Sequence, residues 1–173
     1  MTKIELETLG ENRHMFSAAV HIDRTIYVTG GRTSDGDESS VFRYELAANL
    51  WKACPDMKLK KRLHGSCVLG ETLYVYGGLE NRNYLNYFEF LKLSKSNEIW
   101  HNFFLHSLKK SKMPAMCALD DQHIIVMGGN YLKPLSRAFA LIPHTKQGQE
   151  LYEGRTAEER KNQLKFECQA QTV

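Results

Sequence analysis

With 173 residues, 42% of them hydrophobic and 25% charged, the chain has the profile of one folded, soluble domain, which excludes wholesale disorder. A formal net charge of +3 is too small to imply a nucleic-acid or membrane partner, because such a footprint needs basic residues gathered on one face. The opening MTKIELETLGENRH has acids and no signal-like apolar run, and the four cysteines (Cys54, Cys67, Cys117, Cys168) lack metal-binding spacing, so a cytoplasmic location, reduced thiols and no metal or cofactor are expected.

From Arg13 the chain runs through the apolar segment RHMFSAAVHI, a polar Asp23-Arg24 step and TIYVTGG, which ends at Gly30-Gly31. A two-residue polar step between runs rich in Val, Ile, Leu and Tyr predicts a β-hairpin. A polar loop, RTSDGDESS, follows, and VFRYEL and LWKAC supply a third and a fourth strand. The same order returns from Arg62: RLHGSCVL, Gly70-Glu71, TLYVYGG ending at Gly77-Gly78, the loop LENRNYL, then NYFEFLKL and EIWHNFF. It begins again at Lys112 with KMPAMCAL, Asp120-Asp121-Gln122 and HIIVMGG, which ends at Gly128-Gly129. The first glycines of the three pairs stand 47 and 51 positions apart.

Each unit is thus a four-stranded antiparallel meander of about 50 residues, and such units arranged radially make a β-propeller. The units are expected over residues 13–54, 62–105 and, in part, 112–142. The glycine pairs then have a physical purpose, since without a Cβ the end of the second strand can approach its neighbours closely and take torsions other residues resist. Trp51 and Trp100 are predicted to wedge between adjacent blades, with Tyr44 seven residues before Trp51 and Leu93 at the matching place before Trp100. Residues 143–173 depart from the pattern. Thr156 followed by Glu159 is a capping-box start, so a short helix or a disordered tail is expected there.

This arrangement resembles kelch repeats: a basic residue before the first strand, the endings Ile26-Tyr27-Val28-Thr29-Gly30-Gly31 and Leu73-Tyr74-Val75-Tyr76-Gly77-Gly78, and Tyr44 and Trp51 seven apart. The resemblance covers about residues 3–142. It is degraded in the third unit, where Ile125 replaces the Tyr and no Trp follows. Residues 3–8 resemble the outer strand of a preceding blade. The implied fold is an all-β, kelch-type propeller that is incomplete, because closed propellers have roughly four to eight blades and about three are written here. A fragment, or blades supplied by another chain such as a second copy, would account for the shortfall.

The resemblance also implies a function: a non-enzymatic interaction module that binds a partner or substrate peptide through propeller loops, as in ubiquitin-ligase substrate adaptors. In that family the arginine opening the first strand matches Arg13 and Arg62, with Lys112 as a weaker stand-in, and the residue after the glycine pair matches Arg32, Leu79 and Asn130. The partner-binding set carried over is Arg13, Arg32, Ser34, Arg62, Arg82 and Tyr131. Guanidinium groups bind carboxylates through paired hydrogen bonds, so an acidic peptide is the ligand class expected. For Arg13 and Arg62 the competing role is pairing with acids between blades. A structural or actin-associated kelch protein, and a fragment of a kelch-propeller enzyme, are the alternatives at the level of the whole chain.

The remaining polar features are expected to be structural. KLKKR (residues 58–62) reads as a solvated charge run between blades, and Asp35, Asp37 and Glu38 as a solvated turn without the register of a calcium loop. Cys67 and Cys117, in equivalent first strands, are expected to be buried. His14, His64 and His123 are spread over three units and read as surface or packed rings.

Overall fold

The computed structural model describes residues 18–93, 98–104, 109–134, 138–141 and 143. Arg13, His14, Cys168, the strand expected over residues 3–8 and all but the first residue of the tail expected over 143–173 lie outside them. The described residues are all-β and form three successive antiparallel sheets, the blades of an incomplete propeller.

The first sheet contains β1 (Ala18–Ile22), β2 (Thr25–Thr33), β3 (Gly36–Glu45) and β4 (Leu50–Cys54), paired in chain order. The Asp23-Arg24 step closes β1 onto β2 with Ile22 opposite Thr25. Asp23 takes the left-handed φ of 51° that such a two-residue turn requires. The segment expected as a polar loop after Gly31 is strand: β2 continues to Thr33 and β3 starts at Gly36, with Arg32 opposite Asp37. The chain reverses at Ser34-Asp35, Gly36 opens β3 opposite Thr33 at φ 136°, and the polar residues form a two-stranded ribbon instead of a loop.

The second sheet repeats this with β5 (Gly65–Leu69) and β6 (Thr72–Tyr76), then a separate ribbon of β7 (Leu79–Glu80) and β8 (Asn83–Tyr84), then β9 (Tyr87–Lys92) and β10 (Trp100–Phe104). The third has β11 (Ala115–Ala118) and β12 (Ile124–Met127), a ribbon of β13 (Asn130–Tyr131) and β14 (Lys133–Pro134), and β15 (Ala138–Leu141). Each glycine pair therefore stands where the second strand leaves the sheet and passes into a ribbon, β2 running on through it in the first blade and the strand stopping before it in the other two.

Sheet stacks on sheet through two apolar cores. Tyr27, Val41 and Met57 meet Leu73, Val75, Leu91 and Trp100 in the first. Cys67, Leu69, Tyr74, Tyr76 and Phe88 meet Ile124, Val126 and Phe139 in the second. Strand alternation explains how one strand serves both, since Leu73 and Val75 point to one face of β6 and Tyr74 and Tyr76 to the other. All four are at most 2% exposed. Burial of side chains of this size contributes roughly 1.5–3 kcal/mol each, so the middle sheet is the most strongly held.

Trp100 is the predicted wedge: it is buried in the first core and its indole N–H donates to the Pro55 carbonyl at 2.7 Å. Trp51 is half-buried beside Tyr44, its cross-strand partner, with ring centroids 5.0 Å apart. The residue opposite Trp100 is Leu91, however, and not the Leu93 picked by counting back seven. The β9–β10 connection is longer than the β3–β4 one, so equal sequence spacing does not give equal register. Cys117 corrects a second expectation. Met116 packs on the second core, and Cys117, the next residue along β11, is exposed.

Candidate functional site

The ribbon end of the sheets is built by the glycines. Gly30 and Gly31 have φ of 53° and 107°, Gly77 and Gly78 have 68° and 98°, and Gly128 and Gly129 have 61° and 89°. Two consecutive left-handed residues produce a bulge, seen as the register shift between Thr29 and Gly31, and turn the chain into the ribbon. The space matters as much as the torsion. A Cβ on Gly30 would lie 2.5 Å from the Lys61 carbonyl oxygen, and one on Gly77 would lie 2.5 Å from that of Ser111. Those carbonyls belong to the segments entering the next blade, where they accept hydrogen bonds from Gly31 N–H at 2.8 Å and Gly78 N–H at 2.7 Å.

This geometry brings together the two sets of positions singled out by resemblance. Arg62 and Leu79 exchange backbone hydrogen bonds of 3.0 and 2.9 Å, and Lys112 and Asn130 exchange bonds of 3.0 and 2.8 Å. The residue opening the first strand is thus the backbone neighbour of the residue after the glycine pair. Arg32 occupies the latter place in the first unit.

Arg32 and Arg62 converge on Asp37. The Asp37 carboxylate accepts from Arg32 Nη1 at 3.3 Å and from Arg62 Nη1 through Oδ1, and from the Asn81 backbone N–H at 2.9 Å through Oδ2. Asp37 is therefore not part of a solvated turn. Its side chain is 1% exposed, because β3 aims it at the second blade, where both guanidinium groups and the ribbon tip close over it. The two arginines differ in access: the Arg32 side chain is 43% exposed and that of Arg62 13%. Ser34 sits exposed at the first ribbon tip, where its hydroxyl donates to Asp35 Oδ1 at 3.2 Å and the Thr33 hydroxyl accepts the Asp35 N–H at 3.2 Å.

Arg82 is exposed at the second tip, with φ of 71° beside Asn81 at 46°. Tyr131, on the third ribbon, meets Tyr84 of the second edge to face, with centroids 5.1 Å apart, and Lys112 Nζ lies 5.7 Å above the Tyr84 ring. Of the carried-over residues, Arg32 and Arg62 join a guanidinium–carboxylate cluster spanning blades one and two and Tyr131 an aromatic cluster spanning blades two and three, while Ser34 and Arg82 stand exposed at ribbon tips outside both. Asp37, expected as part of a solvated turn, and Asn81 and Tyr84 belong to these groups and were not among the binding residues expected from the sequence. Ribbon register would have exposed Asp37, since a turn at Ser34-Asp35 sets it opposite Arg32.

Beneath the ribbons lies a buried polar layer. Lys61, expected in a solvated run, is fully buried with its Nζ 2.5 Å from a Glu89 carboxylate oxygen. Burial pulls its ammonium pKa down against the opposing pull of Glu89. The other Glu89 oxygen accepts the Lys58 backbone N–H at 2.7 Å. His64 is buried with Nε2 2.8 Å from the Thr29 hydroxyl, and burial together with the nearby Lys61 charge brings its pKa down to about 3, so the ring is neutral at physiological pH. His123 lies at a different place, held in the bend between β11 and β12 by Asp120, whose Oδ2 is 2.7 Å from His123 Nδ1. Burial raises the Cys54 and Cys67 thiols to about 11 and about 12, which leaves neither a ready nucleophile.

Residues 13–58 match the family model described as the kelch motif. The Kelch repeat and BTB domain-containing protein 2 of cowpox virus (strain GRI-90 / Grishak) is 40% identical over 75 residues, 43% of this chain and 13% of that protein. Human Kelch-like protein 33 is 34% identical over 74 residues, 43% of this chain and 14% of its own length. The Kelch repeat protein C2 of vaccinia virus (strain Western Reserve) is 29% identical over 123 residues, 71% of this chain and 23% of that protein. The chain therefore spans only a small part of the relatives it matches. With its glycine-ended strands, four-stranded blades and matching motif, the chain is a partial kelch-repeat protein.

Proposed function

We propose that the chain is an interaction module that holds an acidic segment of a protein partner at the ribbon end of its blades, in the manner of ubiquitin-ligase substrate adaptors. Kelch repeats generally mediate protein–protein interaction, and the names of its relatives that join kelch repeats to a BTB domain support the adaptor role. The observation that carries the proposal is Arg32. Its guanidinium is held at one nitrogen by Asp37 while the side chain as a whole is 43% exposed, and a guanidinium has donors to spare for a second carboxylate. Such a group is pre-oriented, so little side-chain entropy is lost on binding.

The test is a pull-down of the full chain against a library of Asp- and Glu-rich peptides, with an Asn- and Gln-matched library as control. Arg32→Ala is expected to weaken retention of the acidic set about tenfold, the effect of losing one charge-assisted contact. Equal retention of the two libraries, or no change in Arg32→Ala, opposes the proposal.

A further inference from the structure

We infer that Asp37 is a positioning residue: it sets the direction of the Arg32 guanidinium and locks the second ribbon to the first, so that the arginine cluster acts as one unit. The inference rests on the proposed carboxylate-binding role of Arg32. Three independent contacts converge on this one side chain. Arg32 reaches it across the ribbon of its own blade, Arg62 from the start of the next blade, and Asn81 by its backbone N–H at the tip of the second ribbon.

The contacts span very different sequence separations, five residues to Arg32, 25 to Arg62 and 44 to Asn81. The carboxylate is 1% exposed, so it is itself no ligand for an outside group. Asn81 and Arg82 both hold positive φ, a conformation that non-glycine residues resist, and the Asp37–Asn81 hydrogen bond is what ties that turn down. Arg62, at 13% exposure, then serves as a brace on Asp37, and Arg32 is the group that meets a partner.

Charge alone makes the opposite prediction. Removing Asp37 adds one net positive charge to the cluster, so a purely electrostatic site would bind an acidic peptide more tightly in Asp37→Asn. A positioning role predicts weaker retention of the acidic library, about fivefold to tenfold, because Arg32 regains rotational freedom and the second ribbon loosens. Retention is measured for Asp37→Asn, Arg32→Ala and the double variant. If Asp37 acts through Arg32, the double variant is no worse than Arg32→Ala, whereas a merely structural effect adds to it.

A second measurement does not depend on a ligand: amide exchange at Asn81 and slowed rotation of the Arg32 guanidinium, read by NMR. Faster Asn81 exchange and freer Arg32 rotation in Asp37→Asn are expected. Arg62→Gln, which keeps Asp37 and Arg32, repeats the test should Asp37→Asn fail to fold, and is expected to free Arg32 less. Tighter retention, additive losses or unchanged Asn81 exchange would each overturn the inference. If the wild-type chain retains no acidic peptide, the proposed function falls, and the NMR measurement alone decides whether Asp37 positions the cluster.

Discussion

At the scale of the residue, the glycine pairs show how one local requirement has two causes. Gly77 holds φ of 68°, and a Cβ there would press on the Ser111 carbonyl. Gly77→Ala is therefore expected to cost about 3 kcal/mol, combining roughly 1–2 kcal/mol of left-handed strain with displacement of the incoming backbone. Gly70 has a similar φ of 55° but open space around it, so Gly70→Ala is expected to cost only the torsional part, about 1–2 kcal/mol. Urea denaturation of the two variants separates torsion from crowding: equal losses would mean that close approach contributes nothing. The pairs were legible in the sequence because the demand they meet recurs in every unit. Asp37 reads by composition as part of any polar turn, RTSDGDESS, and only the ribbon register that sets it opposite Arg32 distinguishes it.

At the scale of the element, the segment entering the second blade is held by a buried ion pair. Lys61 and Glu89 are both fully buried, and Glu89 also accepts the Lys58 N–H. Lys61→Met strands a buried carboxylate, and a loss of about 3–5 kcal/mol is expected. The double variant Lys61→Met/Glu89→Gln keeps an acceptor for Lys58 N–H and removes the stranded charge, so most of that loss should be recovered. Thermal unfolding of both proteins checks this, and a double variant as weak as the single one would show that the charge is not the cause. The run KLKKR gave no sign of which lysine turns inward, since the partner of Lys61 lies on a strand 28 residues further along. The ribbons follow a related logic. Their polar composition reads as loop, yet each is paired strand because the bulge at the glycines carries the hairpin onward.

At the scale of the whole molecule, the blades depend on each other through shared cores. Trp100 belongs to the second sheet by chain and to the first core by packing, and its indole N–H is bonded to the segment leaving the first sheet. Trp100→Ala is expected to lower stability by about 3–5 kcal/mol through loss of apolar contact and of that hydrogen bond. Amide exchange should then accelerate together in β2 and β6, which face each other across this core. Acceleration confined to β10 would mean that the sheets open independently.

Strand period, hairpin steps and the recurrence of the three units are carried by neighbours in sequence, and they are readable from the linear text because short-range torsion and alternation produce them. Which charges are spent and which remain available is a different matter. Asp37 collects groups 5, 25 and 44 residues away, and Lys61 disappears beneath the ribbons, since pairing energies depend on separation in space and on the exclusion of water. Folding of one blade against the next creates that proximity, and it leaves two arginines alike in sequence with different access to water, Arg32 with a side chain 43% exposed and Arg62 with one 13% exposed.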